Sequence, residues 1–157
     1  MNFDKAFELL IGHEGGYSNR NPADDPGGET NFGISRRSYP GEDIAGMTLE
    51  RAREIYRRDF WGAAACDALP DGIKFDVFDC AVNSGVHRAI LLLQQAAFAD
   101  VDGIIGPHTL LGISYMPVDK LRRRFNGLRL AFMASLPNWA ANAGGWSRRI
   151  ADNLGRD

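Results

Sequence analysis

The feature of this sequence most able to do chemistry is an acid set beside glycines. Glu14 is followed by Gly15-Gly16-Tyr17, where an apolar stripe at helical spacing (Phe3, Ala6, Phe7, Leu10, Ile11) gives out. The glycines allow a sharp backbone turn and close approach by a ligand. A carboxyl at a helix C-terminus meets the negative end of the dipole, and partial burial penalises its charged form. Both effects raise its pKa, as a general acid working near neutrality requires. An ordinary exposed glutamate is the alternative. Downstream runs Asp24-Asp25-Pro26-Gly27-Gly28-Glu29-Thr30-Asn31-Phe32-Gly33-Ile34. Glycosidic cleavage needs one proton donor and one group that steadies an oxocarbenium ion or positions a water. A Glu at a helix end and an Asp on a facing loop can supply that pair. A capped turn, its aspartates holding backbone amides, is the other explanation of the same string.

Other chemistries fit less well. His13-Glu14 opens like a zinc-protease HExxH motif, but the fifth position is Tyr17 and two glycines break the helix it needs. The histidines are His13, His87 and His108, and the cysteines Cys66 and Cys80 are not in CxxC spacing, so no metal site and no cofactor are expected. There is no phosphate loop and no GxGxxG. The Arg122-Arg123-Arg124 run comes without a nucleic-acid motif, so nucleic acid is not an expected partner.

The motif order resembles a known family. Glu14-Gly15-Gly16-Tyr17, then Asp25-Pro26-Gly27-Gly28 with Thr30-Asn31-Phe32-Gly33-Ile34-Ser35, resembles the N-acetylmuramidases of glycoside hydrolase family 108. The likeness continues through Phe78-Asp79-Cys80-Ala81-Val82-Asn83-Ser84-Gly85 and Leu93-Gln94-Gln95. The stretch from Val101-Asp102-Gly103 to Thr109 is similar to the family's C-terminal peptidoglycan-binding segment. The resemblance implies a lysozyme-like phage or prophage endolysin. Such an enzyme hydrolyses the β-1,4 bond between N-acetylmuramic acid and N-acetylglucosamine in bacterial peptidoglycan, with Glu14 as catalytic acid. Asp25 is the acid of the family's DPGG motif and is the favoured second carboxylate. Glu14, Asp24 and Thr30 stand one residue wider than the Glu-x8-Asp-x5-Thr of many phage lysozymes, so Asp24 stays open as the alternative. Thr30 holds the attacking water under either choice.

Tyr17, Trp61 and Asn83, with Asp24, are expected to bind the sugar chain, the rings by stacking and the amide through an N-acetyl group. Structural roles are equal alternatives for Trp61 and Asn83. Tyr56 lies on an apolar stripe and is assigned to the core, and Asp79 can hold a helix or loop in place, its role left open. Competing activities are a lytic transglycosylase, in which the sugar's own hydroxyl replaces water, and a non-catalytic peptidoglycan-binding protein.

The elements that must position these residues read as mainly α. Asn2 caps a first helix over 2–12, which Gly12 and Gly15–Gly16 end. Residues 15–47 are rich in glycine and proline and read as loop, with a short hairpin around Asn31–Ser35. Thr48 caps a helix bearing Leu49, Ala52, Ile55, Tyr56 and Phe60. Pro70–Asp71 opens another, with Ile73, Val77, Phe78, Ala81 and Val82 on one face. His87–Ala99 follows, then a short helix from Pro107. A long helix from Val118 to Leu136 carries Leu121, Phe125, Leu128, Phe132 and Met133 before Pro137 stops it. Gly145–Leu154 adds a further turn or two. The expectation is one lysozyme-like domain over 1–157, with the catalytic motifs in 1–85. Residues 86–157 form a helical, peptidoglycan-binding-like segment packed against them.

At 157 residues there is room for one domain with a core. Net charge is −2, but residues 120–157 hold 8 of the 18 Lys+Arg and 2 of the 20 Asp+Glu, leaving −8 on the rest. That basic third suits an anionic partner such as the envelope, or is simply a solvated helix face. Cys66 and Cys80 lie in apolar stretches and are expected as buried free thiols. No basic n-region with an apolar h-region opens the chain, so synthesis in the host cytoplasm is expected, and the protein is expected to be a monomer. It would act on the cell wall or periplasm after release through a holin's membrane lesion.

Overall fold

The computed structural model describes residues 1–11, 17–19 and 28–156. The fold is mainly α and lysozyme-like, with seven described helices and one three-stranded antiparallel sheet. No described helix is long and apolar enough to cross a membrane. The chain divides into two units, Asn2–Asp59, and Phe60–Asp157 with Met1.

In the first unit, α1 (Phe3–Ile11) buries Phe3, Ala6, Phe7 and Leu10, the stripe expected from spacing. Asn2 caps it, its Oδ1 accepting from the Lys5 amide at 3.0 Å. The expected glycine stop lies outside the described residues. The sheet is β1 (Ser18–Asn19), β2 (Glu29–Asn31) and β3 (Ile34–Ser35), in that spatial order. Phe32 and Gly33 join β2 to β3 with φ of 49° and 76°. Two positive φ values in a two-residue loop match the twist that hairpins favour. Phe32 is a costly residue there, and Tyr56 donates its hydroxyl to the Phe32 carbonyl at 3.0 Å. α2 (Leu49–Tyr56) is capped by Thr48, whose Oγ accepts from the Arg51 amide at 3.1 Å. The ring of Phe7 lies 5.6 Å from that of Tyr56, so α1 and α2 share the unit's core. The expected helix through Phe60 instead widens after Tyr56 into a π-helical stretch, Arg57–Gly62.

The second unit is built around α3 (Asp71–Ser84), which is buried continuously from Phe75 to Ala81. A helix enclosed on all sides needs neighbours all round; α4 (Val86–Ala97) and α6 (Val118–Ala134) pack against it. α5 (Pro107–Ser114) begins at its proline, as expected, and packs on α4. α7 (Trp139–Leu154) packs on α6 and starts earlier than its sequence predicts. Ala140, Ala141 and Ala143 are strong helix formers that offset the cost of Gly144 and Gly145, about 1 kcal/mol each. Trp139 and Trp146, with ring centroids 6.0 Å apart, brace the same two turns. Cys66 and Cys80 are buried and free, and burial pushes their thiols up to about 12 and about 11.

Candidate active site

The sheet is where the described chemistry gathers. Ser18, Thr30 and Ser35 stand directly opposite one another across the three strands. Opposed residues share a face, so the row presents three half-buried hydroxyls with Thr30 at its centre. Among the described residues, nothing hydrogen-bonds the Thr30 hydroxyl. Alternation turns Glu29 and Asn31 to the opposite face. There Asn31 is buried and donates to the Ile44 carbonyl at 3.1 Å.

Glu29 is fully engaged. Its Oε1 accepts from the Tyr17 hydroxyl at 3.1 Å, and its Oε2 from Arg36 Nε at 3.0 Å and Nη2 at 2.7 Å. Arg36 also donates Nη1 to the Glu42 carbonyl at 2.7 Å. Glu42 in turn receives Arg51 at 2.6 and 3.0 Å, and that contact lowers its pKa. Tyr39 donates to Asp59 at 3.0 Å; burial, then that bond, push the phenol up to about 12. The loop after β3 is thus tied down by charged contacts at several points.

Tyr17 and Thr30, both expected at the site, lie on this one sheet or at its edge, and Tyr17 is 50% exposed. Glu14, Asp24 and Asp25 fall outside the described residues. Trp61 is corrected: it is 1% exposed, edge-on to Phe78 at 5.4 Å, with its indole N–H donated to Asp67 at 2.8 Å. An indole so enclosed has no face for a sugar. Asn83 is exposed in the last turn of α3, in the second unit. Tyr56 is core, 1% exposed.

Two buried polar clusters lie in the second unit; the structural reading of Asp79 fits the first, but their extent was not foreseen from sequence. In the first, Asp79 on α3 receives Arg129 Nη1 at 2.7 Å, Arg149 Nη2 and Nε at 2.6 and 2.8 Å, and Asn153 at 2.9 Å. One turn away Asp76 takes Asn126 at 2.7 Å and Arg122 at 3.2 Å. Burial would raise the Asp79 pKa, but Arg129 and Arg149 outweigh it and hold the carboxyl below its ordinary range. At Asp76 burial prevails over Asn126 and Arg122, and the pKa rises. The available signal was Arg129 between Phe125 and Met133 at helical spacing. In the second cluster Gln94 Nε2 donates to Asp102 at 2.7 Å, the Ile104 carbonyl at 3.0 Å and Thr109 at 3.1 Å, and its oxygen accepts from the Gly103 amide at 2.9 Å. The Asp102-Gly103 to Thr109 motif is therefore a loop tied to α4 by one buried glutamine.

A family model described as Glycosyl hydrolase 108 matches residues 7–85, a stretch that includes Glu14, Thr30 and the whole sheet. The chain is also similar to a solved structure, that of Brucella abortus SagA, at 32% identity and a TM-score of 0.89. That match covers 98% of this chain and 92% of the other. No curated protein matches.

Proposed function

We propose, given that the chain belongs to the glycosyl hydrolase 108 family and is a glycoside hydrolase, that its substrate is bacterial peptidoglycan and its reaction N-acetylmuramidase hydrolysis. Protonated Glu14 gives its proton to the oxygen of the β-1,4 bond between N-acetylmuramic acid and N-acetylglucosamine. Asp25, with Asp24 as the alternative, stabilises the oxocarbenium-like centre or activates the water, and Thr30 orients that water. Tyr17 and Asn83 contact the sugar chain. Residues 86–157 contribute binding to the wall, and the protein serves as a phage-type endolysin released through a holin lesion.

The observation that carries this reading is the hydroxyl row. Thr30 stands at the middle of a sheet that presents hydroxyls on one face, has no bonding partner among the described residues, and lies within the family match. Glu29, the carboxylate nearest Thr30 in sequence, is held in an ion pair with Arg36 and has both oxygens occupied. With both oxygens taken by Tyr17 and Arg36 it has none to offer a substrate, and the proton is assigned to Glu14.

The test is digestion of purified murein by wild type and Glu14→Gln, with analysis of the ends released. Hydrolysis yields new reducing ends, lost in the variant by about 10²–10⁴-fold, the usual span for a general acid. Anhydromuramic ends would mean transglycosylation, and no soluble fragments from the wild type would mean binding alone. A folded Glu14→Gln protein that digests at the normal rate sinks the assignment.

A further inference from the structure

We infer that Ser18 is a second holder of the attacking water: its hydroxyl and that of Thr30 grip one water between β1 and β2. The inference rests on the muramidase reading and deepens it.

Of the three hydroxyls in the row, that of Ser35 is already committed. Its Oγ donates to the Ser38 Oγ at 3.0 Å and accepts from the Ser38 amide at 3.2 Å, closing the turn after β3. The Ser18 and Thr30 hydroxyls have no hydrogen-bond partner among the described residues, and both side chains are half-buried. A covered hydroxyl costs free energy unless water or a ligand satisfies it. Their separation suits a single water. Ser18 and Thr30 are directly opposed in the antiparallel pair of β1 and β2, and opposed Cβ atoms stand about 4.5–5.5 Å apart. A water bonded to two hydroxyls at about 2.8 Å each bridges up to about 5.6 Å. β-branching restricts the Thr30 rotamer, so one of the two contacts is stiff.

The valences of that water close. It has two hydrogens and two lone pairs. In the hydrolytic step one lone pair forms the bond to C1 of the muramic sugar. The bond from C1 to the bridging oxygen breaks, that oxygen takes the proton of Glu14, and the water releases one proton to Asp25 or, in the alternative, Asp24. One hydrogen and one lone pair remain. A serine or threonine hydroxyl can donate or accept, so Ser18 and Thr30 together fill those two positions, one as acceptor and one as donor. A single hydroxyl would leave one of them open. Methanol is the discriminating rival, because it attacks carbon as water does but carries only one hydrogen. Once that hydrogen is turned to the carboxylate, its methyl group must lie where the accepting hydroxyl stands. The pair therefore selects water.

Digestion of murein sacculi in dilute methanol tests this with wild type, Ser18→Ala, Ser18→Thr, Thr30→Val and Glu14→Gln, mass spectrometry counting methyl-glycoside ends against free reducing ends. Ser18→Ala should slow reducing-end formation about 10-fold and raise the share of methyl-glycoside ends about 3- to 10-fold, the span of one neutral hydrogen bond. Ser18→Thr keeps the hydroxyl and should hold the wild-type ratio. Thr30→Val keeps the shape, removes the other contact and should raise the ratio as well. The double variant Ser18→Ala with Thr30→Val should raise it by less than the product of the singles, because both act on one water. A Ser18→Ala protein that is slowed with an unchanged ratio has lost only structure, and that overturns the inference. Wild-type rate and ratio in Ser18→Ala overturn it too, and beside an inactive Glu14→Gln they leave the muramidase reading standing. Glu14→Gln at the wild-type rate removes the muramidase reading itself. If Thr30→Val does not fold, Ser18→Ala still decides, since it deletes one oxygen from an edge strand.

Discussion

Replacing Asp79 with Asn should be among the most damaging single changes available in the second unit. The carboxylate is 3% exposed and accepts from Arg129, Arg149 and Asn153. Arg129 is fully buried, and only its Nη1 has a partner among the described residues; its Nε and Nη2 have none. An amide at position 79 would leave that guanidinium as a buried cation with no directly bonded counter-charge, and would turn an NH2 group toward donors. Removing one partner of a buried pair costs about 3–5 kcal/mol. At about 2–4 °C per kcal/mol for a chain of this size, Tm should fall by about 6–20 °C. Arg129→Met should cost less, because Asp79 keeps Arg149 and Asn153. The double variant should be less destabilised than the sum of the singles by about 1.5–3 kcal/mol, within the range for residues in direct contact. Urea denaturation followed by circular dichroism, with thermal scans, measures all three. An Asp79→Asn protein melting within about 2 °C of wild type, less than 1 kcal/mol on that scale, would refute the claim that this carboxylate neutralises the buried arginine. If Asp79→Asn does not fold, Arg129→Met alone must still be milder than 3 kcal/mol.

The neighbouring acid gives a prediction of opposite sign. The raised pKa of Asp76 means the folded state binds a proton that the unfolded chain has released. Its stabilising contribution is therefore complete below the ordinary carboxylate range and lost as pH rises through the folded pKa. Asp76→Asn should gain stability relative to wild type as pH rises from about 3.5 to 7, read from urea midpoints; a constant difference would count against the burial argument. Asp79, with its lowered pKa, contributes the reverse: stability present above the ordinary range and lost as pH falls through the folded value. Gly103 has φ +79°, and an added Cβ would lie 2.5 Å from His87 Cε1. Gly103→Ala should cost about 1–3 kcal/mol by thermal melting. Adding His87→Ala should recover only the steric part; full recovery would show that the backbone carries no strain.

Much of the fold was legible because it follows from periodicity and punctuation. The Asn2 and Thr48 caps, Pro107 at a helix start and the hairpin at Phe32-Gly33 are local features, and local chemistry decides them. Trp61 was misassigned because an aromatic next to a glycine looks the same in sequence whether it faces sugar or core. Only packing against Phe78 and the bond to Asp67 distinguish the two. Of the candidate site, Thr30 lies on one sheet and Tyr17 at its edge. Glu29 was passed over because its string also reads as a turn, and its partner Arg36 becomes a neighbour only once β2 and β3 pair.

Charge was the least transparent signal. Of the eight cations in residues 120–157, Arg122, Arg129 and Arg149 are bonded to the buried Asp76 and Asp79. Arg124 donates to the Ala96 carbonyl at 2.9 Å and lies over Phe98 at 3.9 Å, and Arg156 lies over Phe75 at 4.2 Å. Part of a run that reads as a surface for an anionic polymer therefore serves the unit's interior. α6 and α7 supply the positive side chains, and α3 supplies the carboxylates that receive them. Two of the upstream acids and three of the downstream cations are thus halves of one buried arrangement. An envelope contact has to be sought at Lys120, Arg123 and Arg148, the cations those interactions leave over. The sign of a local charge excess indicates a partner, and it takes the burial of Asp76 and Asp79 to show that this partner lies within the same unit.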